Sequence, residues 1–108
     1  MKHLQNRVSL IGHVGQDPEV KTLENGTKLA KISLATNSYY IDRNGQRIEQ
    51  TEWHRLTAWG KTADLIENHV HKGSRLAVEG QLQYRRYEDE DGRTNRIAEI
   101  RLDEVMLL

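Results

Sequence analysis

The chain has 108 residues, 16 Lys and Arg against 16 Asp and Glu, and no cysteine. This is the size of one domain that can bury a core of its own. The composition excludes disulfides and cysteine-based zinc sites, and a net charge of zero removes any case for anion binding from bulk charge alone.

NRVSLIGHVG alternates Val8, Leu10, Gly12 and Val14 against Arg7, Ser9, Ile11 and His13, the period of a half-buried strand. Pro18 in QDPEV interrupts it, because proline donates no ladder hydrogen bond. Asn25-Gly26 signals a hairpin into TKLAKISLAT, where Ala30, Ile32 and Leu34 face inward and Lys31, Ser33 and Ala35 outward. NSYYIDRNGQRIEQ is polar, with a second signal at Asn44-Gly45, and reads as a long hairpin tip. It leads into TEWHRLTAWGK, which sets Trp53, Arg55, Thr57 and Trp59 on one face and His54, Leu56 and Ala58 on the other.

KTADLIENHVHKGS changes period: Ala63, Ile66 and Val70, with Leu65 and His69 beside them, form a helical stripe of about three turns. Thr62 is the expected N-cap and Gly73 the expected stop. SRLAVEGQLQYRRYE returns to period two, Asp91-Gly92 marks a third hairpin, and RIAEIRLDEVMLL ends the chain with Ala98, Ile100, Leu102 and Met106 inward. No repeat, low-complexity segment or linker breaks the chain, so residues 1–108 read as a single unit. Three strands, a helix and two strands is the order of an all-β, five-stranded Greek-key OB barrel with one α-helix between strands 3 and 4. A different small antiparallel barrel or a split α+β sheet stays open at this level.

All six aromatics lie between positions 39 and 87, and there is no phenylalanine. The core must therefore be aliphatic, which leaves the rings for other work. They are interleaved with cations three times: Tyr39, Tyr40, Arg43 and Arg47; Trp53, Arg55, Trp59 and Lys61; Tyr84, Arg85, Arg86 and Tyr87. Sequence-tolerant binding of single-stranded nucleic acid needs this pairing, because rings stack on any base and cations follow the phosphates. The competing reading is that Trp53 and Trp59 fill the core. It fits poorly with an arginine on their face and apolar residues on the opposite one. By parity Tyr84 belongs with Leu76, Val78 and Leu82 at the core or its rim, and Tyr87 is the better platform.

Other chemistry is not supported. The acidic run before Gly92 fails as a calcium loop at both end positions, which are Tyr87 and Ala98. His69 and His71 diverge, His3 and His13 are isolated, and His54 sits on the core parity as a hydrogen-bonded interior or interface histidine. No nucleophile elbow or phosphate loop occurs. Neither an enzyme, a metal site nor a cofactor is expected. No apolar run has the length of a membrane span, so a cytoplasmic location is expected.

Taken together, NRVSLIGHVGQDPEV, ISLATNSYYIDRNGQ, TEWHRLTAWGKTADLI, HKGSRLAVEGQLQYRRYEDEDG and IRLDEVMLL resemble the bacterial single-stranded DNA-binding proteins along essentially the whole chain. The resemblance implies protection of single-stranded DNA in replication, recombination and repair, near the nucleoid. It implies base stacking on Tyr40, Trp53, Trp59 and Tyr87. Phosphate contacts would come from Arg7, Arg55, Lys61, Lys72, Arg85, Arg86 and Arg96, with a pH-dependent contribution at His71. It also implies a homotetramer built from two dimers, with first strands paired around Val8 and Leu10 and His54 at an interface. Pairing would cover an otherwise open strand edge. The family typically continues into a Gly-rich linker and an acidic tip that recruits replication and repair proteins. That tip is absent after Leu108, so such recruitment is not expected of these residues. A related OB replication-restart adaptor, or an OB module for proteins or oligosaccharides, is the alternative.

Overall fold

The computed structural model describes residues 4–108, so His3 lies outside the described residues. In order, the elements are β1 (Val8–Val14), β2 (Glu19–Thr22), β3 (Lys28–Ile41), β4 (Arg47–Trp59), α1 (Gly60–His69), β5 (Arg75–Glu88) and β6 (Thr94–Leu107). The sheet order is β1-β5-β6-β4-β3-β2, and a further β1–β3 pairing closes it. The short β2 is an added arm on β3. The closed barrel is β1, β3, β4, β5 and β6, with α1 after the third of these strands: the OB arrangement expected from the sequence.

Closure depends on β1. It pairs with β5 from Val8–Gly80 to His13–Arg75, and with β3 only at His13–Ala35 and Val14–Leu34. A Cβ at Gly12 would run into the backbone carbonyl of Ala35, so only glycine lets β3 come this close. The enclosed core is aliphatic, as the missing phenylalanine requires. Leu34, Leu56, Ile66, Leu76 and Val70 are its largest fully buried side chains. Ala63, Ile66 and Val70, the expected stripe, turn α1 onto the barrel. Lys28 bonds Glu67 at 2.7 Å and Asp64 at 3.0 Å, pinning α1 to β3; Glu67 first and Asp64 second raise the lysine pKa.

Five expectations need correction. The helix starts at Gly60, whose φ of +59° turns the chain out of β4, so Thr62 lies inside the first turn and no side chain caps the start. Gly73 sits in the turn beyond the true C-cap, Val70. Met106 is 64% exposed, because the β5–β6 register skips Asp103 between Glu79–Glu104 and Gly80–Leu102. That bulge inverts parity and turns Val105 toward the core in its place. Ala98 and its cross-strand partner Tyr84 are both exposed, since β5 and β6 run on past the core at this point.

Both long hairpins project as two-stranded arms, and the radius of gyration, 16.0 Å, exceeds the roughly 13 Å of a compact domain this size. The barrel's stability should rest on the aliphatic core alone. Leu34→Ala is expected to cost about 2–5 kcal/mol, read as a lower urea midpoint by far-ultraviolet circular dichroism, with the slope unchanged.

Candidate nucleic-acid interface

Register places the rings. Trp53 pairs with Ala35, Arg55 with Ser33 and Thr57 with Lys31, so these six side chains share the outward face of β3 and β4. Trp53 is 62% exposed and Trp59, at the end of the same strand, 36% exposed. The rings stand outside an inner layer that holds Leu56 and Ala58, as the alternation predicts. Next to β4, β6 runs parallel at Leu56–Ile100 and Thr57–Arg101, bringing Glu99 into the same hollow as Arg55 and Arg85.

A cleft of about 680 Å³ opens beside Trp53, walled by His54, Arg55, Arg96 and Ile97. Gly15 forms its inner edge. A Cβ there would overlap the Trp53 ring, so the missing side chain is the seat on which the indole lies. His54 points inward, with Nε2 2.8 Å from Thr36 Oγ1, a satisfied part-buried histidine.

The β3–β4 arm carries Tyr39 and Tyr40, and the β5–β6 arm carries Tyr84 and Tyr87, all exposed. Alternation sets Tyr40 on the opposite side of its ribbon from Tyr39, and Tyr39 on the side of Trp53. Arg47 stacks on Tyr39 at 4.0 Å and Arg96 on Tyr84 at 4.6 Å. Arg86 and Arg96 oppose each other on one rung, a like-charge pairing that is unfavourable without an anion between them.

The seven expected cations do not form one group. Arg55, Arg86 and Arg96 surround the cleft and the β5–β6 arm. Arg85 is anchored: its Nε lies 2.7 Å from Oε1 of Glu99, the buried charged residue among those described. Arg7 pairs with Glu79 on the β1–β5 side. Lys61 is exposed on the first turn of α1, and the backbone of Lys72 is tied to Asp17 at 2.8 Å. Two contributors escaped sequence reasoning. Glu99 sits on a strand among alternating residues and carries no motif. Gly15 follows β1 and looks like any glycine at a strand end.

Each arm ends in the same five-residue tip, Asp42 to Gln46 and Asp89 to Arg93. The glycine amide bonds back to the first carbonyl, and the aspartate bonds the third and fifth amides. Gly45 and Gly92 take the left-handed conformation, and no other residue of the tips has positive φ. The Arg93 amide, then the Asn95 side chain, then the Asp91 amide hold the Asp89 carboxyl below the ordinary aspartate pKa.

A model of the single-strand binding protein family matches residues 5–108. Two relatives from Neisseria meningitidis, serogroup A / serotype 4A and serogroup B, each named single-stranded DNA-binding protein, are 40% identical over 103 residues. The match covers 95% of this chain and 59% of each relative, so the chain spans a little over half their length. A solved structure titled Plasmodium falciparum SSB complex with ssDNA superposes with a TM-score of 0.89 at 36% identity, covering 95% of this chain and 94% of that one.

Two outcomes are expected. In a Trp59→Phe background, Gly15→Ala should lift the Trp53 ring and shift its emission to the red, with the melting temperature nearly unchanged. A depressed folded pKa means that Asp89 stabilises its tip above the ordinary aspartate value, about 3.9. The contribution is lost as pH falls through the lower folded value. Protection of the Arg93 amide, its exchange measured against the intrinsic rate at the same pH, should therefore fall on acidification below that range, and Asp89→Asn should flatten that pH dependence.

Proposed function

The chain belongs to the single-strand binding protein family, and on that premise we propose that it binds and protects single-stranded DNA without sequence preference during replication, recombination and repair. The observation that carries the reading is the exposure of Trp53, 62%, beside Arg55 on the outward barrel face, over a core that needs no aromatic. An indole held out of a complete core gains nothing for the fold. Against an unpaired base it gains about 1–3 kcal/mol. The role is one of binding rather than catalysis. Trp53 and Trp59 stack bases on the barrel, and Tyr40 and Tyr87 do so from the arms. A strand that reaches Tyr40 passes round the β3–β4 arm, since Tyr40 stands on its far side.

Arg55, Arg86 and Arg96 take phosphates, and the rung of opposed arginines is relieved when an anion enters. Lys61 and Lys72 extend the track. Arg85 contributes from its Glu99 anchor, and Arg7 contributes less because Glu79 already neutralises it.

The chain works as one OB unit over residues 1–108 and assembles as a homotetramer, a dimer of dimers. Among the described residues, β1 meets β3 at His13 and Val14 and no other strand lies on that side, so the backbone of Val8 and Leu10 offers a free edge to a second copy. Ile11, 57% exposed, and Met106, 64% exposed, flank Ala77 in an apolar groove of about 570 Å³ that gives the second contact. No helix among the described residues is long and apolar enough to cross a membrane; a cytoplasmic, nucleoid-associated location follows from the DNA-binding role.

Titration with oligothymidylate should quench tryptophan emission to saturation, and the affinity should fall steeply as salt rises. Trp53→Ala should weaken binding by about 1–3 kcal/mol. Binding that ignores salt, or a Trp53→Ala variant with undiminished affinity, would remove the reading.

A further inference from the structure

We propose that Tyr39, backed by Arg47, is an additional base platform on the β3–β4 arm, set in line with Trp53; the inference rests on the single-stranded DNA reading above. Tyr39 is opposite Glu49 and Trp53 opposite Ala35, so both rings share one side of the ribbon. Tyr39 lies four positions along the strand from Ala35. At about 3.3 Å per residue, the two rings lie about 13 Å apart along the arm. Between them the rung of Asn37 and Thr51 places a shallow groove of about 400 Å³, in which Thr51 donates to Asn37 at 2.9 Å. Among the described residues nothing accepts from the Asn37 amide hydrogens, which can meet a base edge.

The stack itself has the form of a binding surface. Arg47 Cζ lies 4.0 Å from the centroid of the Tyr39 ring and covers one face. The ring is nonetheless 58% exposed, so its other face is open. A cation behind a ring polarises it for stacking and sits within reach of the phosphate attached to the stacked base. The acidic neighbour of Arg47 is Glu49, 3.7 Å away with both side chains largely exposed, a pairing too weak to neutralise the guanidinium. A stack built to stabilise the fold would bury area. This one stands on an arm beyond the core and buries little.

The test uses the whole chain and an oligothymidylate carrying iododeoxyuridine, which crosslinks to a ring it stacks on. The wild-type protein should yield a crosslinked peptide containing Tyr39 as well as one containing Trp53. Tyr39→Leu should weaken binding about fivefold or more, the value of one lost stack, and Tyr39→Phe should restore it. Arg47→Met should lower the salt slope by about one. Melting temperatures should not move, because both residues lie outside the core. Unchanged affinity in Tyr39→Leu would overturn the proposal. So would weaker binding with crosslinks at Trp53 alone, since Tyr39 would then only stiffen the arm. A wild-type chain that fails to bind the oligonucleotide at low salt would instead remove the underlying reading, an outcome visible before any variant is made.

Discussion

Closure of the sheet rests on one strand serving two neighbours. Along most of its length β1 bonds to β5, and at His13 and Val14 it passes to β3. The passage is possible because Gly12 presents no Cβ to the Ala35 carbonyl. Once the barrel is shut, alternate residues of β3, β4, β5 and β6 have a single inside to fill, and Val, Leu, Ile and Ala fill it. The outward residues are then released from packing duty. Trp53, Arg55 and their neighbours are held in register by the same ladders, without being needed for the core. Gly15, directly after β1, belongs to the same device, since it continues the strand into the seat beneath Trp53.

Charge is distributed as deliberately as the rings. A chain of zero net charge keeps most of its exposed arginines on the arms and around the cleft, and pairs some with carboxylates. The buried Glu99 is the clearest instance. A carboxylate so buried is costly through lost hydration unless a partner holds it, and Arg85 does so through its Nε. The guanidinium is thereby fixed in direction while the Arg85 side chain stays more than half exposed. The stacked pairs Tyr39–Arg47 and Tyr84–Arg96 use the ring instead of a carboxylate to the same end. In each case the arginine has fewer orientations to lose when an anion arrives.

The strands, the helix and the aliphatic core were legible in the sequence wherever period and burial coincide. They stop coinciding in two places. The bulge at Asp103 shifts β6 by one residue, and nothing in RLDEVMLL marks which residue is left unpaired, so Met106 and Val105 exchange faces. Past the core, parity still assigns a side of the ribbon but no longer assigns burial, which is why Tyr84 and Ala98 are exposed. The helix start failed differently: a glycine with positive φ after Trp59 begins the turn, and the Thr62 hydroxyl that composition favours is not used. The outward placement of Trp53 and Trp59 was readable because two tryptophans and an arginine share one parity opposite the apolar Leu56 and Ala58. Partners such as Glu99 and Gly15 depend on which strands become neighbours, and that is a property of closure rather than of any local pattern.

The division between an aliphatic inside and an aromatic outside also changes what light reports about this molecule. All six rings are exposed, from 36% at Trp59 to 62% at Trp53. In most domains near-ultraviolet absorbance and indole emission follow the packing of the interior, so a spectroscopist reads them as measures of foldedness. Here the interior is optically silent. A chain whose core had loosened would look nearly native in those bands, and a chain whose surface had met a ligand would look changed while its core stood still. The intrinsic chromophores report on the surface and not on the core, a consequence of the same composition that left the barrel without a phenylalanine.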